Sequence, residues 1–276
     1  MTKDKTGAVM NVPLTEILLR TPDLNEGQWR LLSWPARWLV MVRAVVLVMT
    51  IMAAAIGILM AAIDGFFYLD RALVMVLGLS FAHATNNLLN DWIDHKKGID
   101  KDNYFRRRYG VQVLEDGLVP PGLYLLVTLI TGTIAILCAA YLVMEVGIII
   151  GYLTLVGAFF VIFYTWPLKH FALGELSVLL VWGPLLVAGS YFTMTGSVTT
   201  EVLLLSLVYG IGPTLVIMGK HLDKLDDDTQ RSIKSLPVVI GHVASSYLSL
   251  GLVIIQWLAL VVAVVGFSIF WYLSPK

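Results

Sequence analysis

The sequence predicts an all-α integral membrane protein, a multi-helix bundle of about seven spanning helices. Three observations carry this. Apolar residues make up 58 % of the 276 residues and charged residues only 14 %, where soluble domains run at about 45–50 % and about 25 %. The apolar residues fall in runs of membrane-spanning length. The few charges gather in alternate breaks between those runs. Mean hydropathy is +0.82, and 19 Lys and Arg balance 19 Asp and Glu. A soluble enzyme, a disordered chain and a nucleic-acid binder with its basic surplus are thereby excluded. The single cysteine, Cys138, lies in an apolar run and can form neither an internal disulfide nor a cysteine metal knuckle.

The elements follow in order. Residues 1–35 form an N-terminal cytoplasmic or interfacial segment, with Lys3, Lys5, Arg20 and Arg30 and no spanning run. It lacks the short apolar core and small-residue site of a cleaved signal. Leu14, Ile17, Leu18, Trp29, Leu31 and Leu32 suggest short amphipathic pieces, and a surface-lying helix and a loose tail are equally compatible with them. Residues 36–276 form the transmembrane domain. Its spans are expected at Ala36–Ile63, Tyr68–Ile93, Gly122–Met144, Val146–Tyr164, Leu173–Thr193 and Val202–Leu222, followed by one long helix over Val238–Leu273. Asp64-Gly65, Pro120-Pro121 and Thr195-Gly196 supply breaks.

Basic residues concentrate in cytoplasmic loops. With the N-terminus cytoplasmic, loops 94–121, 165–172 and 223–237 face the cytoplasm and hold Lys96, Lys97, Arg106, Arg107, Arg108, Lys169, Lys224 and Arg231. The opposite side holds Arg71 and Lys276. The chain is therefore placed in a bacterial or archaeal plasma membrane. Loop 94–121 is long and carries Arg106–Arg108, so it is expected to act as a lid.

Carboxylates stand where lipid should be. Residues three and four apart share a helix face, so Asn87, Asp91 and Asp94 stack at the end of the second span, with Asn90 beside Asp94. Lys220, Asp223 and Asp227 do the same at the end of the sixth. Such carboxylates repel and are costly near hydrocarbon. A divalent cation relieves both, and magnesium favours hard oxygen ligands, often one or two carboxylates completed by water and phosphate. Two facing clusters would hold one or two Mg2+ ions and a diphosphate. Isolated carboxylates at a span end are usually just solvated loop. Two clusters of like spacing on one side, with asparagines and basic loops, are not. His83 reads as a hydrogen-bonded interior residue. No phosphate-binding G-x-x-x-x-G-K-[ST] loop and no G-x-S-x-G elbow occurs.

These residues resemble the UbiA superfamily of intramembrane prenyltransferases. Asn87-x-x-Asn90-Asp91-x-x-Asp94-x-x-x-Gly98-x-Asp100 is similar to its first aspartate-rich motif, and Asp223-x-x-x-Asp227 followed by Lys234-Ser235-Leu236-Pro237 to its second. Tyr164-Thr165-Trp166-Pro167, Gly174-Glu175-Leu176 and Gly183-Pro184 resemble the menaquinone-pathway branch, which prenylates 1,4-dihydroxy-2-naphthoate. The resemblance implies a helical bundle, usually of nine spans, around a cavity open to membrane lipid. It implies Mg2+-dependent transfer of a polyprenyl group from polyprenyl diphosphate to an aromatic acceptor, in quinone-type lipid biosynthesis. Carried over, Asn87, Asp91, Asp94, Asp223 and Asp227 bind metal, the four aspartates being catalytic. Asn87, Asn90, Arg106, Arg108, Tyr164, Lys169 and Lys220 bind substrate. Phe81, Phe159, Phe160, Phe163 and Tyr164 are candidates to shield an allylic cation, and Asp94, Glu175 and His221 are candidates for the base. A membrane transporter and a non-catalytic lipid-diphosphate-binding relative are the alternatives. Carboxylates confined to one side disfavour transport.

Overall fold

The computed structural model describes residues 12–98, 110–231 and 233–273, with side chains as far as Ala263 and at Val265. Every regular element among them is helical. Two short helices, α1 (Leu14–Leu19) and α2 (Glu26–Leu31), lead into α3 (Trp34–Met41), α4 (Ala44–Ile63) and α5 (Leu69–Lys96). Then come α6 (Pro121–Val146), α7 (Ile148–Phe163), and a 3-10 turn at Leu168–Phe171. The next rod joins α8 (Gly174–Leu180), a π-helical segment (Val181–Ala188) and α9 (Gly189–Thr195). Last are α10 (Thr200–Asp223), α11 (Leu225–Gln230), α12 (Leu236–Ile240) and α13 (His242–Leu273). Six helices are long and apolar enough to cross a membrane, and the 16-residue α7 is a shorter apolar one. The chain is an integral membrane protein.

Three expected elements differ. The first span, expected unbroken over Ala36–Ile63, stops at Val42 and restarts after Arg43, whose backbone is left-handed at φ 55, ψ 61. The sixth runs to Asp223 and bends at Lys224, so Asp227 sits on the separate helix α11 and not on a continuation of α10. The last long helix starts at His242, because Gly241 (φ +84) ends α12 first. Residues 14–32 are neither a lone surface helix nor a tail. Asn25 closes a capping box on α2, which satisfies two otherwise orphaned donors. Ile17, Leu24, Trp29 and Leu32 pack in one cluster with Met41, Leu88, Val113 and Tyr124. Val111 N–H donates to Pro22 O at 3.1 Å. Gly110 (φ +106) permits that approach, since a Cβ there would lie 2.6 Å from Thr21.

Helix α5 packs chiefly on α6 and on α4, α4 on the π-helical segment, α10 on the 174–195 rod, and α7 on α6, α5 and the π segment. These helices enclose a cavity. Helix α13 packs on α10 outside that ring, and none of its residues lines the cavity. Membrane helices approach through small residues, because lipid offers no hydrophobic drive to associate. Here Gly183 and Gly210 face each other. A Cβ on Gly210 would lie 2.7 Å from Leu179 O, and one on Gly183 the same distance from Ser206 O. The π segment contains Pro184, which cannot donate a backbone hydrogen bond; a π-bulge absorbs the disruption.

Candidate active site

The cavity has a volume of about 1500 Å3. Glu16, Arg20, Asp23 and Arg43 line the cavity, and its polar end gathers the predicted residues from three places. Helix α5 supplies Asn87, Asn90, Asp91 and Asp94; helices α10 and α11 supply Lys220, Asp223 and Asp227; the 164–169 turn supplies Tyr164 and Lys169. Both predicted carboxylate clusters thus open on one cavity with the predicted substrate residues beside them. Arg106 and Arg108, with the proposed lid around them, lie outside the described residues. Below this end the walls are mostly apolar, through Leu79, Ala82, Leu129, Ile136, Ala139 and Leu142 to Met75 and Ile150.

Helix α5 is uninterrupted through Lys96, so Asn87, Asp91 and Asp94 do share a face. Each is held by a neighbouring element. Asn87 Nδ2 donates to Val42 O at 2.8 Å. The helix break leaves that carbonyl without an intrahelical partner, and Asn87 supplies one. The next residue, Arg43, bonds through its guanidinium to Asp91 Oδ1. The sequence signal for Arg43 was a lone cation inside an apolar run, which span assignment had absorbed. Lys169 Nζ lies 3.9 Å from Asp94 Oδ2, which brings the lysine to the carboxylate cluster. Lys97 stacks on the Trp166 ring at 3.3 Å and ties the end of α5 to the turn that carries Lys169. On the other side, Arg231 Nε meets Asp227 Oδ1 at 3.3 Å, and buried Asp228 accepts from Ser235 Oγ at 3.3 Å.

A second buried pair adjoins the cluster. His221 Nδ1 and Glu175 Oε1 are 2.6 Å apart and both side chains are 3 % exposed. His221 lines the cavity. Tyr164, Lys169 and His221 converge on Gly174, where a Cβ would sit within 4.0 Å of all three. A carboxylate on Nδ1 fixes the tautomer and orients the ring. In the turn below, His170 hydrogen-bonds through Nδ1 to Thr165 O at 3.1 Å. Burial, then the neighbouring Lys169 and Lys97, holds its imidazole below the ordinary histidine range, and so neutral at pH 7.

Of the expected aromatic shields, Phe160 and Tyr164 line the cavity. Phe159 and Phe163 form an exposed pair on the outside of α7, and Phe81 stacks on Trp38 at 5.2 Å. His83 is the hydrogen-bonded interior residue expected, bound to Thr50 Oγ1 at 2.8 Å.

Oxygen donors dominate the ionisable end. Among the described residues no three His, Cys, Asp or Glu side chains converge into a ready-made cage. The donor set nonetheless suits magnesium, a hard cation that takes few protein ligands: four carboxylates on two sides, and the Asn90 carbonyl oxygen, buried with no hydrogen-bond partner among the described residues.

The sequence pattern of the UbiA prenyltransferase family matches residues 47–275. The chain is 27 % identical over 184 residues to UbiA prenyltransferase domain-containing protein 1 of Rattus norvegicus, covering 62 % of this chain and 52 % of the relative. It is 24 % identical over 207 residues to 1,4-dihydroxy-2-naphthoate octaprenyltransferase of Bacillus subtilis (strain 168), covering 70 % and 63 %. It spans between half and two thirds of the length of these relatives. The solved structure of a UbiA homolog from Archaeoglobus fulgidus bound to DMAPP and Mg2+ has the same fold, with a TM-score of 0.60 at 14 % identity over 79 % of this chain and 74 % of that one.

Proposed function

Because the chain belongs to the UbiA prenyltransferase family, we propose that it moves a polyprenyl group from polyprenyl diphosphate to an aromatic acceptor, with Mg2+. One observation carries this: a cavity that is ionic at one end and mostly apolar along the rest. An allylic diphosphate has the same division, a polyanionic head on a hydrocarbon tail. The names of the B. subtilis and Escherichia coli relatives, both 1,4-dihydroxy-2-naphthoate octaprenyltransferases, favour a quinone-pathway hydroxyarene as acceptor. The A. fulgidus homolog's DMAPP and Mg2+ favour the diphosphate and the metal.

Asp91, Asp94, Asp223 and Asp227, with Asn87 and Asn90, would hold the metal between the two clusters. Bound there, magnesium neutralises the diphosphate and so eases its departure. Arg43, Lys169 and Lys220 add fixed positive charge at the cavity's ionic end. The guanidinium of Arg43 suits two-point contact with phosphate, and the lysines act as point charges. Arg106 and Arg108 are assigned to the same head group. Departure leaves an allylic cation, whose carbon is then attacked by the acceptor ring, and the attacked ring carbon loses its proton, or carbon dioxide where it carries a carboxylate, to restore the arene. Phe160 and Tyr164 face the cation with their rings and, with the apolar walls, keep water away. Residues 1–35 and the loops carrying both clusters face the cytoplasm.

The test is radiolabel transfer in liposomes. Geranylgeranyl and longer polyprenyl diphosphates are offered with 1,4-dihydroxy-2-naphthoate, 4-hydroxybenzoate or no acceptor, in Mg2+ or EDTA. Mg2+-dependent product is expected. Diphosphate binding with no product from any acceptor supports the non-catalytic relative. No diphosphate binding overturns the proposal and returns the carboxylates to a transporter.

A further inference from the structure

The diphosphate end accounts for the charged residues of the cavity but not for a set of uncharged polar ones deeper in its wall. Thr50 on α4, His83 on α5 and Trp182 on the π segment all line the cavity. His83 Nδ1 and Thr50 Oγ1 are 2.8 Å apart, and the imidazole meets the indole edge-on with ring centroids 5.1 Å apart. Trp182 Nε1 is buried and has no hydrogen-bond partner among the described residues. Among the described residues His83 hydrogen-bonds only to Thr50, through Nδ1, which leaves its other ring nitrogen, Nε2, uncommitted there. A polar atom left unsatisfied in a low-dielectric interior costs about 1–3 kcal/mol. Indole N–H groups are normally partnered when buried.

A prenyl chain cannot satisfy these groups, since it carries no polar atom. The diphosphate cannot either. It belongs at the ionic end, and His83 lies eight residues along α5 from Asp91, about 12 Å deeper at 1.5 Å per residue. That separation leaves room for the reacting carbon and one aromatic ring between the two levels. A hydroxyl meets both needs at once, because it accepts from an N–H and donates to a ring nitrogen. The Trp182 indole beside it offers a flat face to an arene.

We infer that Trp182, His83 and Thr50 form an uncharged subsite that receives a phenolic hydroxyl of the acceptor. The inference rests on the prenyl-transfer reading above and specifies its acceptor as a hydroxyarene. Trp182 accounts for the hydroxyl's lone pair and His83 for its proton. Thr50 is a positioning residue that fixes the imidazole through Nδ1. No charge is placed at this level, so an acceptor carboxylate, where there is one, points towards the cationic end.

The test uses the full-length protein in liposomes. Trp182→Phe removes the N–H and keeps an aromatic ring. His83→Gln and Thr50→Val probe the other two contacts. Equilibrium binding of radiolabelled 1,4-dihydroxy-2-naphthoate and of its monomethyl ethers is measured beside binding of geranylgeranyl diphosphate, and KM for each substrate is measured where product forms. Loss of one hydrogen bond weakens acceptor binding about 5- to 30-fold. Trp182→Phe should therefore raise the acceptor Kd and KM by that factor and leave diphosphate binding unchanged, which also shows the variant is folded. For one of the two ethers, wild type and variant should bind equally weakly. Unchanged acceptor binding in both Trp182→Phe and His83→Gln overturns the subsite and leaves a bound water as the partner of Trp182. A rise in the diphosphate constant alone overturns it in favour of a prenyl-chain wall. If the wild-type protein binds both substrates but yields no product, transfer fails as a function while the acceptor constants still decide the subsite.

Discussion

Replacing Arg43 by glycine and by alanine separates two roles that one residue fills. Its backbone sits at φ 55, ψ 61, a basin that costs a residue with a Cβ about 1–2 kcal/mol. Glycine escapes that strain but gives the unfolded chain more freedom, which offsets about 0.5–1 kcal/mol of the gain. Arg43→Gly is therefore expected to be more stable than Arg43→Ala by about 0.5–1 kcal/mol, or about 1–3 °C in Tm. Both variants lose the ion pair with Asp91, whose side chains are 22 % and 18 % exposed. Orphaning one member of a fully buried pair costs about 3–5 kcal/mol, and the cavity's access to both groups reduces this to about 1–2 kcal/mol. That loss is common to the two variants and cancels from their difference. Activity behaves otherwise. If the guanidinium supports the departing diphosphate, both variants lose about 10²–10³ in kcat, and Arg43→Lys, which keeps charge but not the fork, loses less. Thermal unfolding in detergent reads the first quantity and prenyl transfer in liposomes the second. An alanine variant that melts at or above the glycine variant refutes the backbone account. Wild-type kcat in either refutes the role in transfer.

Three further outcomes are expected. Asp91→Ala and Asp223→Ala should each abolish Mg2+-dependent product; if added Mg2+ restores either to wild-type rate at saturation, that carboxylate tunes affinity and nothing more. Gly210→Ala should lower stability by about 1–3 kcal/mol, because its Cβ would meet Leu179 O at 2.7 Å and Gly183 Cα at 3.2 Å; an unchanged Tm would mean that α10 and the 174–195 rod separate freely. His170 is held below the usual histidine range by burial, so the unfolded chain takes up its proton first as pH falls. Its contribution is complete above the unfolded pKa of about 6.5 and is lost on acidification through and below that value. His170→Gln should flatten this part of the profile of stability against pH, and a profile identical to wild type would assign the dependence elsewhere.

Six of the seven expected spans were legible because each is a run of apolar residues bounded by turn chemistry, and hydropathy reads such runs directly; the one expected over Val146–Tyr164 is the 16-residue α7, short of spanning length. The carboxylate spacing was legible because α5 is regular, so that residues 87, 91 and 94 had to share a face. Arg43 was not, because a hydropathy run tolerates one cation and gives no sign that the helix breaks there. Asp227 was assigned to the right cavity by the wrong helix: four-residue spacing predicts a shared face only where the helix continues, and it stops at Lys224. The Glu175–His221 pair joins residues 46 apart. Each was a candidate alone, and periodicity cannot report a contact between different helices. The orphaned indole of Trp182 was invisible for the same reason, since its oddity is a missing partner rather than a pattern.

The irregular backbone lies where the chemistry is assigned. Backbone away from regular helix cannot face hydrocarbon, because its freed polar groups would go unsatisfied; it persists at membrane depth only against protein or a polar cavity. Three interruptions meet that condition here. The break after Met41 frees Val42 O, which Asn87 takes, and sends Arg43 to Asp91. The π segment carries Trp182 into the wall opposite His83. The bend at Lys224 separates Asp223 from Asp227 and lets both reach the same space. Each costs hydrogen bonds or strain that a straight helix would keep, and each delivers a polar side chain to the cavity. A variant that straightens one of them, such as removal of Pro184 from the π segment, is thus expected to leave the bundle as stable as before or more so while impairing transfer. A concurrent fall in Tm and in activity would show instead that the π segment is a packing requirement of the bundle.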